Sequence, residues 1–250
     1  MVGDAYVYDA FISYRVAADA EHAKNLHQKL THHGLNVFWD KVCLKDGKPW
    51  EAGFCEGLVN SRVFIALISE DAVAHPTNDR SCFSRLTASS ACDNVLLEHQ
   101  LGLELEELGM LEYVCPVMIR QRNGSNYDRF NSRCYGILPN VSVQDVQKKL
   151  TEHMSRQGLG SPLQLDRTIK ATVGGIHAHQ GGFVEGEYDS AVDLVVKNIT
   201  TLCRKAVNMK SLEREVSPGI VGDQLNDLRR QLVEKDEEIR VLRKQLMLSP

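Results

Sequence analysis

The sequence predicts an α/β domain built on a doubly wound parallel sheet, followed by a C-terminal coiled-coil helix. Three observations carry this expectation. Short apolar runs recur along the first half of the chain with helix-period stretches between them, the alternation expected of βαβ units. The strand-like runs are almost continuously apolar, as in strands buried on both faces. Beyond Ser217-Pro218-Gly219, leucines step in the a/d rhythm of a coiled coil.

Taken in order, Tyr6 to Ser13 predicts the first strand, with Val7, Phe11 and Ile12 apolar. Ala23, Leu26 and Leu30 then recur at helical spacing, and Gly34 stands where a C-cap belongs. Leu35 to Trp39 predicts a second strand, and Lys41 to Pro49 a polar loop broken by Gly47 and Pro49. A helix is expected from about Trp50 to Asn60, and Val63 to Ile68 is the most strand-like run of all. Glu70 to Ala88 reads as a long polar connection. Ser89 to about Leu108 reads as a helix with Ser90 or Asp93 as candidate N-caps. Tyr113 to Ile119 predicts a fourth strand.

From Gln121 to Gly186 the pattern is less regular, and we expect an elaborated connection within the same domain. Asn123 to Asn126 is a turn, and Val143, Val146, Leu150 and Met154 lie at helical spacing. Thr168 to Ile176 suggests a helix broken by Gly174-Gly175, and Phe183-Val184 a short strand. Ala191 to Val207 is helical, with Val192, Val195, Val196, Ile199, Leu202 and Cys203 on one face. The expected organisation is therefore a domain over residues 1–207, a linker over 208–220 and a coil over 221–250.

In that coil, Leu225, Leu228, Leu232, Lys235, Ile239, Leu242 and Leu246 form a narrow seam with Lys235 as its one polar position. A helix docked on its own domain usually shows a wider apolar face, so self-association is the expected role. About three heptads associate weakly alone.

Composition excludes several function classes. The net charge of −4 and the scattered Lys and Arg leave no basic footprint for nucleic acid. No apolar run approaches the length of a membrane span, and the N-terminus has no signal-like core; a cytoplasmic location is expected. The 7 cysteines include no C-x-x-C pair, and the 9 histidines lack a metal-binding context. No metal and no resident cofactor are expected. Phosphate-cradling Gly-x-Gly-x-x-Gly and P-loop motifs are absent, as is Gly-x-Ser-x-Gly. In a sheet of this kind ligands bind beyond the carboxyl ends of the strands, which directs attention to the residues after Ser13, Trp39, Ser69 and Ile119.

Those segments together carry a resemblance. Tyr8-Asp9-Ala10-Phe11-Ile12-Ser13-Tyr14-Arg15 resembles the opening strand of the TIR (Toll/interleukin-1 receptor) domain family. Val37-Phe38-Trp39-Asp40 followed by Leu44-Lys45-Asp46-Gly47-Lys48-Pro49-Trp50 is similar to its second strand and BB loop. Ser61 to Ser69 is similar to its third strand, and Cys115-Pro116-Val117-Met118-Ile119 to its fourth. The resemblance implies a flavodoxin-like sheet. It also implies one of two roles: a scaffold that recruits other TIR domains, or an enzyme that cleaves the nicotinamide–ribose bond of NAD+ to nicotinamide and ADP-ribose or a cyclic form. NAD+ would be the substrate.

The enzymatic branch uses a glutamate on the helix after the third strand, and the matching position is Glu98. A carboxylate suits the chemistry, because oxocarbenium character grows on the ribose while nicotinamide leaves neutral and needs no general acid. Many NAD-cleaving members carry Trp four residues earlier, where this chain has Asn94. Either stacking falls to Trp39, Trp50 or Tyr14 or activity is low or absent, and for Trp39 and Trp50 packing in the core or at a helix start is the equal alternative. Tyr14, Arg15, Asp40, Lys45, Trp50 and Asn94 are the expected substrate-binding set, with Arg15 and Lys45 either meeting pyrophosphate as charge partners or solvated at the surface. The resemblance also implies that a neighbouring TIR domain completes the site through the BB loop, here about Asp40 to Pro49, so that the coil would promote activity by raising local concentration. The alternatives are a non-catalytic interaction module and a nucleotide-sugar sensor that binds without cleaving.

Overall fold

The computed structural model describes residues 6–44, 50–74, 81–119, 122–123, 126–127, 136–179, 181–184 and 192–204. The expected linker and coil lie outside these residues, as do Lys45 to Pro49 of the BB loop.

Five strands form one parallel sheet: β1 (Tyr8–Ser13), β2 (Val37–Phe38), β3 (Ser61–Ser69), β4 (Tyr113–Ile119) and a last strand, β7 (Gly182–Val184), in the order β2-β1-β3-β4-β7. Between β4 and β7, β5 (Arg122–Asn123) and β6 (Asn126–Tyr127) make a separate antiparallel pair, flanking the predicted turn. Strand order reverses between β1 and β3, which is where an open α/β sheet forms its ligand crevice.

The nine residues of β3 are all buried. Their side chains alternate: Val63, Ile65 and Leu67 enter one core with the α1 helix (Val16–His32) and the helical residues 192–204. Phe64, Ala66 and Ile68 enter the other. That second core is completed by α3 (Trp50–Val59), α5 (Asn94–Glu107), α6 (Gln144–Arg156) and α7 (Ile169–His177). The two-residue period of a strand thus distributes one apolar run to both faces.

The helix stops follow local chemistry. At the end of α1 Gly34 adopts φ +83°, Gly34 N–H donates to Thr31 O at 2.9 Å and Leu35 N–H to Leu30 O at 3.2 Å. This is a Schellman closure, which a left-handed glycine permits. For α5, Asp93 is the N-cap and accepts from Leu96 N–H at 2.9 Å.

Several expectations are corrected. β2 is shorter than Leu35 to Trp39: Asn36 O still accepts from Asp9 N–H of β1, but its backbone N–H donates to the Asp9 carboxylate and its side chain to Val7 O. The expected polar loop begins with a helical turn, α2 (Asp40–Cys43). The connection after β3 opens on another, α4 (Glu70–Val73), whose first turn is capped by Ser69 Oγ accepting from Ala72 N–H. It also contains a 3-10 turn at Phe83–Arg85 with Phe83 buried. The helix expected from Ser89 starts only at Asn94, since Ser90 folds back on Thr87 instead. Finally, α7 continues through Gly174-Gly175, and a Cβ on Gly175 would stand 3.1 Å from Leu103 of α5. The glycine permits close helix packing where a break was expected.

Gly102 seats α5 on the sheet, as a Cβ there would lie 2.8 Å from the buried Phe64 ring. Gly102→Ala is expected to destabilise the fold by about 1–3 kcal/mol through overpacking, which urea unfolding of the full chain measures. An unchanged midpoint would show that α5 can lift without cost.

Among the described residues, no helix is long and apolar enough to cross a membrane.

Candidate functional site

At the carboxyl ends of β1 and β3, the last residues of β1, the turn after it, the short helix α2 and the start of α5 come together. β1 ends in Ser13, whose side chain is fully buried. Its hydroxyl donates to Glu98 Oε2 at 2.5 Å, joining the end of the strand to the second turn of α5. Leu96, Leu97 and Leu101 are buried in the core around it, so the helix is held while Glu98 itself keeps partial exposure.

Electrostatics around Glu98 disfavour its charge. Burial pushes its pKa up to about 8 and the nearby Asp40 and Asp93 add to the rise, while the Ser13 hydroxyl and Arg15 oppose it. The protonated form of Glu98 is thereby favoured relative to an ordinary carboxyl. A cationic group arriving beside it would favour the ionised form, because an opposite charge lowers a carboxyl pKa.

Tyr14 and Asp40, both expected to contact substrate, meet each other. Tyr14 is 5% exposed and its hydroxyl donates to Asp40 Oδ1 at 2.7 Å. Burial, then the bond to Asp40, holds the phenol proton well above its usual range. The ring is thus packed under the crevice and does not offer a free stacking face. Trp39 packs against His27 with ring centroids 5.0 Å apart. Trp50 opens α3; its side chain and all of Lys45 lie outside the described residues. Asn94 is the first residue of α5 and is partly exposed, one turn before Glu98.

Arg15, expected at the pyrophosphate, is committed elsewhere. It is 5% exposed, and its two terminal nitrogens grip Asp93 at 2.9 and 3.0 Å. Nη1 also donates to Ser81 Oγ at 3.0 Å, and the guanidinium lies 4.5 Å over the Phe83 ring. Asp93 is correspondingly acidic: burial alone would raise its pKa, but the Arg15 charge and the hydrogen bonds from Arg15, Leu96 N–H and Ser81 hold it below the usual carboxylate range. Behind this pair, Asp19 of α1 is fully buried near Ser69 and Arg15, and burial pushes its pKa up to about 7.

Sequence reading missed Ser13 and Asp93 as site residues. Ser13 was visible only as the polar end of an apolar strand, and Asp93 only as a helix cap. Neither signal carries its partner's identity.

A family model described as TIR domain matches residues 10–135, just over half of the chain. Among solved structures, the TIR domains of the activated Roq1 resistosome directly recognizing the pathogen effector XopQ are 16% identical. That match covers 77% of this chain and 99% of that one, with a TM-score of 0.47. A metazoan TIR-STING receptor from C. gigas in complex with 2′,3′-cGAMP is 14% identical over 80% of this chain and 41% of that one, with a TM-score of 0.40. No curated protein sequence matches.

Proposed function

This chain belongs to the TIR domain family, and from that premise we propose that it is an NAD+ glycohydrolase with Glu98 as its catalytic carboxylate. The bond broken joins ribose C1′ to the positively charged nicotinamide nitrogen. As it lengthens, its electron pair moves onto the ring nitrogen, nicotinamide departs neutral, and positive charge gathers on the ribose. Glu98, ionised beside the cation, stabilises that charge more in the transition state than in the ground state. Water or a ring nitrogen of the adenine then closes the open carbon, giving linear or cyclic ADP-ribose.

The observation that carries this reading is the Ser13–Glu98 contact at the switch point of the sheet. A carboxyl at the strand ends where such folds bind ligands supports the reading. The acidic surroundings, with Asp40 beside Glu98, suit a substrate whose reacting ring is cationic. The test is to incubate purified full-length protein with NAD+ and measure released nicotinamide. No release at high protein concentration would leave the interaction-module reading, in which the same surfaces bind another TIR domain.

A pH profile follows from the site's electrostatics. Glu98 must lose its proton to act, so kcat/KM is expected to rise about tenfold per pH unit below its pKa and to level off above about 8. The kcat profile should turn over at lower pH, because bound nicotinamide cation favours the carboxylate. A flat kcat/KM between pH 6 and about 8 would exclude this role.

We further propose that self-association raises activity and that the seam from Leu225 to Leu246 serves it. Removing residues 221–250 is expected to lower specific activity at low protein concentration and to leave it nearly unchanged at high concentration. An equal loss at every concentration would reject that role.

A further inference from the structure

Ser13, the last residue of β1, and Arg15, the N-cap of α1 two positions on, both reach α5: Ser13 holds Glu98, and Arg15 holds the helix cap Asp93. From these paired ties we infer that Arg15 is a positioning residue, which acts through Asp93 to set where the Glu98 carboxyl stands above β1, and that it is not a ligand for the substrate's phosphates.

The geometry argues against an anion-binding role. An arginine that receives phosphate presents its fork to the incoming group. Here the fork is closed on Asp93 through both terminal nitrogens, Nη1 is shared with Ser81, and one face of the guanidinium is covered by Phe83. Only 5% of the residue is exposed. A phosphate would have to displace a buried carboxylate to reach it.

The same geometry argues for a positioning role. Asp93 Oδ1 receives both Arg15 Nη2 and the backbone N–H of Leu96, so the arginine grips the group that starts the helix. Glu98 follows five residues later, roughly 7.5 Å along the axis at 1.5 Å per residue, and a rigid helical turn transmits any shift of its first residue. With Ser13 on Glu98 and Arg15 on Asp93, the β1–α1 junction and the first turns of α5 are joined at two points, which restrains rotation as well as translation. Among the described residues, the charged groups acting on Glu98 are Asp40, Asp93 and Arg15; Arg15 is the cation of these three and pairs with Asp93 directly. Loosening the grip would alter both the location of the Glu98 carboxyl and its ease of ionisation.

The kinetic part of the test rests on the NAD+-cleaving reading, so it is paired with a measurement that does not. In the full chain, Arg15→Lys keeps the charge but loses the two-pronged grip. It is expected to lower kcat on NAD+ about tenfold or more while KM moves less than about threefold, as misplacement of a reacting group does. Asp93→Asn should behave alike, and the double variant should be little worse than the poorer single one, because both changes break one tie. A raised KM with kcat intact would show Arg15 holding substrate and would overturn the inference. Independently of turnover, carbon-13 NMR of labelled glutamate, assigned with Glu98→Gln, reads the Glu98 titration midpoint. It should move by about half a pH unit or more in Arg15→Lys. An unmoved midpoint overturns the inference whether or not the wild type cleaves NAD+, and a moved one without any turnover supports the positioning role while removing the enzymatic reading. Should Arg15→Lys fail to fold, Asp93→Asn, close to isosteric, carries both readouts.

Discussion

Glu98→Gln is expected to lower NAD+ cleavage a hundred- to a thousandfold in kcat, the usual scale for deleting one group that stabilises transition-state charge. The amide keeps the shape and can still accept from Ser13, so the helix should stay seated, and KM should change little. The same substitution is expected to stabilise the protein. Burial raises the Glu98 pKa from 4.5 to about 8, so the folded state binds this proton more tightly than the unfolded chain does. The stability contribution of that proton is fully present below pH 4.5 and is lost as pH rises through about 8. At pH 8 and above the wild type therefore carries a partly buried charge that Gln lacks. After discounting for the partial exposure of Glu98, the variant should gain on the order of 2 kcal/mol at alkaline pH. Thermal unfolding from pH 4.5 to 9 reads this directly: the two Tm curves should converge at acid pH and separate with rising pH. Loss of activity with parallel Tm curves would mean that Glu98 acts without being electrostatically strained.

Glu104→Ala is expected to destabilise the protein by about 3–5 kcal/mol, the range for removing one partner of a buried ionic network. Glu104 lies on α5 and is fully buried. Its carboxylate receives the backbone N–H groups of Leu163 and Gln164 at 2.6 and 3.1 Å, and Arg167 stands 3.4 Å away. One turn earlier on the helix, Gln100 donates to Arg167 O and Thr172 Oγ1 and accepts from Gln147. Through these contacts the long connection before β7 is fastened to the helix that carries Glu98. Alanine would leave the two backbone donors without their acceptor and remove one of the two carboxylates that Arg167 Nη2 meets. Arg167 retains Glu107 at 2.8 Å, which sets the lower end of the expected range. Chemical denaturation of the full chain is the measurement, and a loss under 1 kcal/mol would show that water replaces the carboxylate.

This ladder also shows why residues 121–186 were hard to read. α6 was legible because Val146, Leu150 and Met154 form a stripe, and all three are buried. The segment from Leu159 to Arg167 has no such period, since it is held by a side chain of another element. Likewise α5 is buried on nearly every side, including the polar His99, Gln100 and Glu104. Its sequence looks amphipathic only if those polar residues are assigned to water. His99 packs between the Phe64 and Phe83 rings, and burial pushes its pKa down to about 3.

What the chain determines by itself is what local pattern encodes. Continuous apolar runs specify β1, β3 and β4; a leucine-rich helix with an aspartate before it specifies α5; and the position of Glu98 on that helix follows. Which groups meet is decided only by folding. Ser13 and Glu98 are 85 positions apart, and Arg15 and Asp93 are 78. A contact between residues so distant leaves no periodicity in either segment, and hydroxyl, guanidinium and carboxylate look the same in a sequence whether they face water or one another. Stacking β1 beside β3 and laying α5 across them removes water from that choice, and in a dehydrated space a polar group without a partner is costly.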